Sequence, residues 1–224
     1  MATMRTYDDG CAAAHALDLV GERWALLVVR ELLLGPKRFT DLRAGLPGAS
    51  PNVLAQRLRE LEQSGVVRRR KLPPPAASRV YELTDWGKQL EPVVISLGRW
   101  GARSPSRPRD AELGVDSLVL SLRTMFNPQA ADGLTASYEF RFGEDRFRAV
   151  VDDGRFEIAR GNAEEPGATV ETDPVTLATL VYGGRPLEEA LRSGDLKIEG
   201  DGSAVARFLT LFPLPEPAAP AVGA

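Results

Sequence analysis

Residues 47–65 have the hydrophobic spacing of a short amphipathic helix. Leu54, Leu58 and Leu61 recur at intervals of four and three residues, so they share one stripe that must be buried. The opposite face carries amide and guanidinium side chains, which can hydrogen-bond base edges in a DNA major groove: Asn52, Gln56, Arg59 and Gln63. The pattern fits a DNA-reading helix and, taken alone, fits a surface helix of any globular protein equally well.

The ends of this helix have their own signals. Ser50 is a good N-cap, and Pro51 suits the first helical position because its missing N–H needs no partner there. Gly65 supplies a left-handed stop. The sequence therefore predicts a helix that begins after Ser50 and ends before Gly65.

Two more helices are predicted before it. Residues 17–34 carry a long apolar pattern that we interpret as one core helix, which ends at Gly35 and Pro36. Thr40 can cap a short helix over residues 41–44, with three apolar side chains pointing inward: Phe39, Leu42 and Leu46. The order is that of a helix-turn-helix.

A basic β-hairpin is predicted directly after the helix with the polar face. Residues 66–71 have strand composition and end in four consecutive basic side chains. A proline-rich tip at residues 73–75 leads to a return strand over residues 79–84, and a helical pattern resumes over residues 86–100. Three helices, a hairpin and a further helix make a winged helix-turn-helix.

The second half of the chain has mainly strand patterns. Tyr138, Phe140 and Phe142 alternate with polar residues, which predicts a half-buried strand. The same reasoning predicts strands over residues 147–151, at Phe156 and Ile158, at Val170 and Thr172, and at Leu196 and Ile198, and helices over residues 174–182, 187–191 and 203–212. One antiparallel sheet covered on one face by helices fits this order, so the expected fold class of the whole chain is α+β.

Charge and composition divide the chain in two. The net charge of the full chain is only -3, but residues 1–110 hold 18 Lys and Arg against 12 Asp and Glu, whereas residues 111–224 hold 10 against 19. A basic half, which suits DNA phosphates, is thus joined to an acidic half. A Pro-, Ser- and Arg-rich stretch separates them, so we expect a first domain at residues 1–103, a linker at 104–114, a second domain at 115–213 and a disordered tail at 214–224.

The reactive residues favour binding over catalysis. Cys11 is the only cysteine, so no intrachain disulfide or cysteine zinc site can form. His15, the only histidine, lies among alanines without helper residues, so we expect no enzyme, no cofactor and no metal site. No apolar run approaches the ~18 residues that would span a bilayer, and the N-terminus has no signal-peptide pattern. We therefore expect a cytoplasmic protein that does not bind membranes.

Residues 11–101 resemble the HxlR-type family of bacterial transcriptional regulators. The stretches that carry the resemblance are LDLVGERWALLVVRELLLGPKRFTDLRAGLPG, ASPNVLAQRLRELEQSGVVRR and YELTDWGKQLEPVV. The resemblance implies a homodimer whose first and last helices pair, with two reader helices in successive major grooves of a near-palindromic site on double-stranded DNA. The hairpin tip has the sequence PPPAAS, where this family often has a longer polar and charged run. The resemblance therefore implies major-groove contact by the reader helix more strongly than minor-groove contact by the hairpin.

Ten residues are the candidate DNA contacts: Lys37, Arg38, Ser50, Asn52, Gln56, Arg57, Arg59, Arg69, Lys71 and Arg79. Some members of the resembled family sense oxidants or electrophiles through a cysteine near the N-terminus, where Cys11 lies. No basic cluster adjoins Cys11 to lower its pKa, so we interpret it as a small, half-buried residue of the dimer interface.

The second half resembles the sterol-carrier-protein type 2 domain through the run DPVTLATLVYGGRPLEEALRSGDLKIEGDGSAVARFLTLFP. Its most family-like part is the last strand and the helix after it, with Gly194, Leu196, Ile198, Gly200 and Asp201. The resemblance implies an apolar tunnel between sheet and helices that holds a hydrophobic molecule. Each candidate wall residue is also explained by ordinary core packing: Phe140, Phe142, Phe147, Phe156, Leu177, Leu180, Val181, Phe208 and Phe212.

The sequence thus predicts a DNA-binding regulator whose second domain senses a hydrophobic small molecule, and the resemblance to the HxlR-type family implies that it is a repressor. Two alternatives stay open. In the first, the second domain is a ligand-free dimerisation module. In the second, the protein is a lipid or metabolite carrier that keeps the winged helix only for dimerisation.

Overall fold

Residues 6–74, 78–107 and 113–219 are described by the computed structural model. Their contacts group into two units, which divide between Val94 and Ile95. The first unit contains, in order, α1 (Ala12–Val20), α2 (Ala25–Leu32), α3 (Phe39–Gly45), α4 (Pro51–Gln63), β1 (Val67–Lys71), β2 (Arg79–Leu83) and α5 (Asp85–Lys88). The helix α6 (Glu91–Ala102) runs through the division. This order confirms the predicted helix-turn-helix followed by a hairpin.

Helix α4 has the predicted ends and the predicted buried stripe. Ser50 Oγ accepts the Val53 N–H at 3.4 Å, and Gly65 has the left-handed φ of +75°. Leu54, Leu58 and Leu61 are fully buried in the core of the first unit. Because this stripe is held inside, the rotation of α4 about its own axis is fixed.

The single core helix predicted over residues 17–34 is wrong. The chain forms α1 and α2 separately, and Trp24 between them has a φ of +79°, which a continuous right-handed helix cannot contain. Both helices contribute to the same core, so the apolar pattern continues across the break and hides it. Thr40 is not the cap of α3 either: the helix begins at Phe39, and Asp41 Oδ2 accepts the Arg38 N–H at 3.0 Å.

The second unit is built on a five-stranded sheet in the order β5-β4-β3-β6-β7. Its elements are α7 (Val115–Met125), β3 (Ala136–Phe142), β4 (Asp145–Asp152), β5 (Arg155–Arg160), β6 (Ala168–Thr172), α8 (Pro174–Tyr182), α9 (Leu187–Ser193), β7 (Leu196–Gly200) and α10 (Gly202–Phe208). All five predicted strands are present. The closing helix ends at Phe208, four residues earlier than predicted.

The sheet is mixed, which corrects the prediction of an antiparallel one. Strands β3 and β6 pair in parallel, with Phe140 opposite Val170, while the other three pairs are antiparallel. Alternation of apolar and polar residues reports which face of a strand is buried and carries no information on the direction of its neighbour.

Helix α7 was not predicted from the sequence. It is packed inside the second unit, with Leu118, Val119 and Leu122 buried. Arg160 of β5 pairs with both Asp116 of α7 and Asp145 of β4, and lies 4.7 Å from the centre of the Phe147 ring. These contacts attach α7 to the sheet.

The predicted linker and tail are described only in part. Residues 108–112 and 220–224 lie outside the described residues. Residues 214–219 form no helix or strand, and the Ala218 N–H donates to Arg103 O at 2.8 Å. The boundaries at residues 103 and 115 stay predictions.

The described part of the chain has neither a membrane-spanning helix nor a cluster of metal-ligating side chains. None of its helices combines the length and the apolar composition that crossing a bilayer requires. Nowhere in residues 6–74, 78–107 and 113–219 do three His, Cys, Asp or Glu side chains cluster in a way that could hold a metal ion.

A glycine substitution tests how α5 is seated beside the hairpin. A Cβ at Gly87 would collide with Val66 O, so we expect Gly87→Ala to lower the free energy of unfolding by about 2 kcal/mol. A Cβ at Gly101, in α6, would meet no neighbour, so Gly101→Ala should raise that free energy by about 0.5 to 1 kcal/mol. Urea unfolding followed by circular dichroism measures both. Equal effects of the two substitutions would contradict the seating of α5.

Candidate nucleic-acid interface

The polar face of α4 is open to solvent. The side chains of Asn52 and Arg59 are exposed and form no hydrogen bond or ion pair with another described residue. Gln56 is half-buried, and its Nε2 donates to Glu60 Oε1 at 3.0 Å. Ser50 is exposed at the helix start, where its hydroxyl serves as the N-cap. Amide and guanidinium groups free of protein partners are the groups that read base edges, so this side of α4, the reading face, meets the requirement of the prediction.

Strand register places three of the predicted basic residues on one face of the hairpin. Lys71 lies opposite Arg79, and Arg69 lies opposite Tyr81, so these side chains project to the same side. Lys71 and Arg79 are exposed and have no acidic partner among the described residues. Like charges directly opposite one another disfavour the hairpin, and an anion between them would relieve the repulsion. We call the side formed by Arg69, Lys71 and Arg79 the wing face.

Arg69 connects the wing face to α4. Its Nε lies 3.0 Å from Glu62 Oε1 on the helix, and its guanidinium lies 5.1 Å from the centre of the Tyr81 ring. The side chain is still 48% exposed, so it remains open to a phosphate. This ion pair brings the wing face next to the helix that carries the reading face.

On the other face of the hairpin, one acid, Glu82, is shared by two arginines. Arg68 Nε lies 2.8 Å from Glu82 Oε1, and Arg70 Nε lies 2.9 Å from Glu82 Oε2. The basic run at residues 68–71 is therefore divided: two of its members pair with Glu82, and two belong to the wing face. The predicted hairpin places Arg68 directly opposite Glu82, so this ion pair could have been predicted from the sequence.

Lys37 and Arg38, in the connection before α3, differ in exposure. Lys37 Nζ lies 2.6 Å from the buried carboxylate of Glu31, and its side chain is only 12% exposed. Its main chain also exchanges hydrogen bonds with Tyr81. Arg38 is exposed. Arg38 is thus accessible and stays a predicted DNA contact, whereas Lys37 connects Glu31 to β2.

Arg57 does not lie on the reading face. It follows Leu54 by three residues and precedes Leu61 by four, which places it beside the buried stripe, and its side chain is 10% exposed. Its Nη1 lies 2.5 Å from Glu60 Oε2 and 3.5 Å from Glu22 Oε2. Direct contact with DNA is not supported for this residue.

The six phenylalanines among the predicted ligand residues of the second unit belong to one aromatic cluster. Phe208 lies 4.8 Å from Phe212, 5.0 Å from Phe140 and 4.9 Å from Tyr138, measured between ring centres. Among the nine predicted wall residues, seven are buried and two, Phe156 and Val181, are half-buried. Ordinary core packing and a tunnel wall are both compatible with this burial.

Two aromatic residues of this cluster were not predicted. Phe126 stacks on Phe156 with ring centres 5.2 Å apart, and both side chains are half-buried, so the cluster reaches the surface at this pair. Tyr138 lies inside, where burial raises its pKa to about 12, and its hydroxyl donates to Ala204 O at 3.1 Å. Tyr138 is thus neutral and anchors β3 to α10.

Cys11 and His15 are both exposed in the chain. Cys11 stands at the start of α1, where the nearby backbone N–H groups of Ala14 and Ala13 lower the pKa of its thiol. No basic side chain contributes to this shift, in agreement with the prediction that no basic cluster adjoins Cys11; the cause is the backbone at the helix start.

Comparison with known proteins divides the chain at the same place as charge does. Residues 19–108 match the HxlR-like helix-turn-helix family, and residues 111–222 match the alkyl sulfatase C-terminal family. The uncharacterized HTH-type transcriptional regulator YvaP of Bacillus subtilis (strain 168) is 42% identical over 85 residues, which cover 38% of this chain and 79% of YvaP. The HTH-type transcriptional regulator YodB of the same strain is 39% identical over 85 residues, covering 38% of this chain and 76% of YodB.

Solved structures align with parts of the chain as well. The reduced form of YodB from B. subtilis aligns with a TM-score of 0.39 and 35% identity over 43% of this chain and 95% of YodB. The sec-alkylsulfatase Pisa1 from Pseudomonas sp. aligns with a TM-score of 0.39 and 19% identity over 43% of this chain, and only 15% of Pisa1 is covered. The chain belongs to the HxlR-like helix-turn-helix family of transcriptional regulators, and its second half is a domain of the alkyl sulfatase C-terminal family.

Proposed function

We propose that this protein represses transcription as a homodimer on a near-palindromic DNA site and acts as no enzyme. Its reading face enters the major groove, and its wing face contacts the flanking phosphates. The observation that carries the proposal is the adjacency of these two surfaces, which the ion pair of Arg69 with Glu62 maintains. Base-reading groups next to unneutralised cations provide both the specific and the sequence-independent part of DNA binding.

The dimer is supported by apolar surface on the first and last helices of the winged-helix region. Leu17 of α1 and Val93, Leu97 and Trp100 of α6 are exposed, with Trp100 77% accessible. Helix α6, all of which is described, contributes no buried residue within the chain. An exposed apolar helix face of this kind marks a protein interface, and a second copy of α1 and α6 would cover it.

Selection of genomic fragments by the purified protein tests the proposal. We would select at near-physiological salt, because salt alone changes the affinity of such proteins many-fold, and footprint the best fragment. A protected inverted repeat with half-site centres about one helical turn apart is expected. Absence of any selective fragment would overturn the proposal and favour the carrier alternative.

The second domain is proposed to sense a hydrophobic small molecule in the manner of a sterol-carrier-like tunnel. Support comes from the aromatic cluster, which reaches the surface where Phe126 stacks on Phe156. An apolar chain that enters there would separate these rings. Regulation then requires unequal affinity of this molecule for the DNA-binding and the non-binding arrangement of the protein.

A ligand-free second domain remains the competing proposal, and one observation favours it. Phe140, Phe208 and Phe212 are buried, and the Phe208 ring contacts the other two, as expected of a filled core. In this case the domain adds stability or dimer contacts, and apolar molecules leave DNA affinity unchanged.

Asn52→Ala tests the reading face. Because Asn52 is exposed and has no partner in the described part of the chain, its removal should leave the fold intact. We expect discrimination at one base position of each half-site to fall by about 1 to 3 kcal/mol, while affinity for random DNA stays the same. Binding to single-base variants of the footprinted site measures this. An equal loss on random DNA would contradict the assignment.

Arg79→Gln tests the wing face. Removing one member of the Lys71–Arg79 pair relieves a repulsion, so the variant should be at least as stable as the parent. We expect affinity for all sequences to fall and the slope of log affinity against log salt to decrease by about one unit. Arg68→Gln is the matched control, because Arg68 already pairs with Glu82 on the other side. Similar slopes for both variants would refute the wing face.

Dodecanol tests sensing by the second domain, with butanol as the short-chain control. If the domain holds an apolar chain that is coupled to DNA binding by about 1 to 3 kcal/mol, operator affinity should change at least about fivefold with dodecanol alone. Phe126→Ala should weaken this response, and Leu191→Ala, which truncates an exposed side chain, should not. A constant operator affinity together with tight dodecanol binding would refute the coupling.

A further inference from the structure

One carboxylate of α4 joins a buried arginine to a residue of the reading face. Glu60 Oε2 lies 2.5 Å from Arg57 Nη1, and Glu60 Oε1 accepts the hydrogen bond of 3.0 Å from Gln56 Nε2. Of the two carboxylate oxygens, one therefore faces the buried stripe and the other faces the reading face. Glu60 thus connects the Arg57 side chain to the Gln56 amide, and a shift of the Arg57 guanidinium can be transmitted through it.

Arg57 is held from its other side by the turn between α1 and α2. Glu22 Oε2 in that turn lies 3.5 Å from the same Nη1 atom. The Arg57 side chain is nine-tenths buried, and its Nε is enclosed without a hydrogen-bond partner among the described residues. A buried guanidinium is tied to the carboxylates that neutralise it, because moving away from them would leave its charge uncompensated.

Gln56 retains hydrogen-bonding groups with which its amide can contact a DNA base. Its Nε2 carries two hydrogens, of which Glu60 takes one, and its Oε1 has no partner in the part of the chain that the structure describes. One N–H and one carbonyl oxygen are what an amide uses to pair with adenine in the major groove. An amide already held at the correct angle loses less side-chain freedom on binding and tolerates a wrong base less.

We infer that Arg57 is a positioning residue for sequence reading, which holds the Gln56 amide through Glu60 without touching DNA. This inference rests on the proposed function and adds to it a residue behind the contact surface. It also gives Arg57, Glu60 and Glu22 a shared purpose that phosphate binding does not explain.

A double-mutant cycle between Arg57 and Gln56 tests the inference on the footprinted operator and its single-base variants. Gln56→Ala identifies the base position that Gln56 reads. We expect Arg57→Gln to reduce discrimination at that same position about fivefold to tenfold, with an unchanged salt slope. The double variant should discriminate no worse than Gln56→Ala alone, because Arg57 acts through Gln56. Arg57→Lys, which keeps the charge beside Glu60, should recover part of the loss.

Two further variants separate positioning from charge and from folding. Arg59→Gln removes an exposed arginine of the same helix and should lower the salt slope by about one unit, unlike Arg57→Gln. Glu22→Gln changes a side chain that is 54% exposed, so folding is preserved, and it should reduce discrimination at the Gln56 position by a smaller factor. If Arg57→Gln does not fold, discrimination by Glu22→Gln at the Gln56 position tests the inference in its place.

The outcomes distinguish this inference from the proposed function. A wild-type protein without a selective operator refutes the proposed function. A selective wild type combined with additive losses in the double variant, or with a loss spread over all positions in Arg57→Gln, overturns the inference alone. Full discrimination by a folded Arg57→Gln, or by Glu22→Gln where Arg57→Gln does not fold, also overturns it.

Discussion

Burial of the leucine stripe of α4 is the constraint on which the rest of the DNA-binding unit depends. With Leu54, Leu58 and Leu61 buried in the core and α4 packed against α1, α2 and β1, this helix has one allowed rotation. That rotation exposes Asn52 and Arg59 together, and it brings Arg57 inward. The same hydrophobic term thus determines both the residues available to DNA and the arginine that must find carboxylates inside the protein.

Carboxylates then determine which cations remain available to a phosphate. Glu31 forms an ion pair with Lys37, and Glu60 forms one with Arg57. Glu82 pairs with both Arg68 and Arg70. In the described part of the hairpin, the cations left without an acid, Lys71 and Arg79, lie directly opposite one another on the wing face. This juxtaposition does not stabilise the fold, because the two like charges repel each other. It favours the binding of an anionic ligand, which would be attracted by both. The distribution of acids therefore carries as much information about the interface as the distribution of arginines.

Sequence patterns predicted the features that depend on local spacing. The ends of α4, its buried stripe and the five strands of the second unit were all predicted, because caps and alternation act over a few residues. The break at Trp24 was missed because α1 and α2 share one core, and the parallel pairing of β3 with β6 was missed because register depends on partners distant in sequence. Arg57 is different: its spacing from Leu54 already placed it inside, and interpreting it by residue type alone was the error.

In the aromatic cluster of the second unit, a bound apolar molecule would have to replace ring contacts that stabilise the core. Among its inner rings, Phe208 contacts both Phe140 and Phe212, and separating either pair would cost dispersion energy. At the edge of the cluster, Phe126 and Phe156 are only half-buried, so separating these two rings costs less dispersion energy than separating the inner rings. An apolar molecule that enters at the edge must therefore compensate for the inner contacts that it displaces. A long chain buries enough surface to do so, and a short one does not, since the gain grows by about 0.8 kcal/mol for each methylene buried.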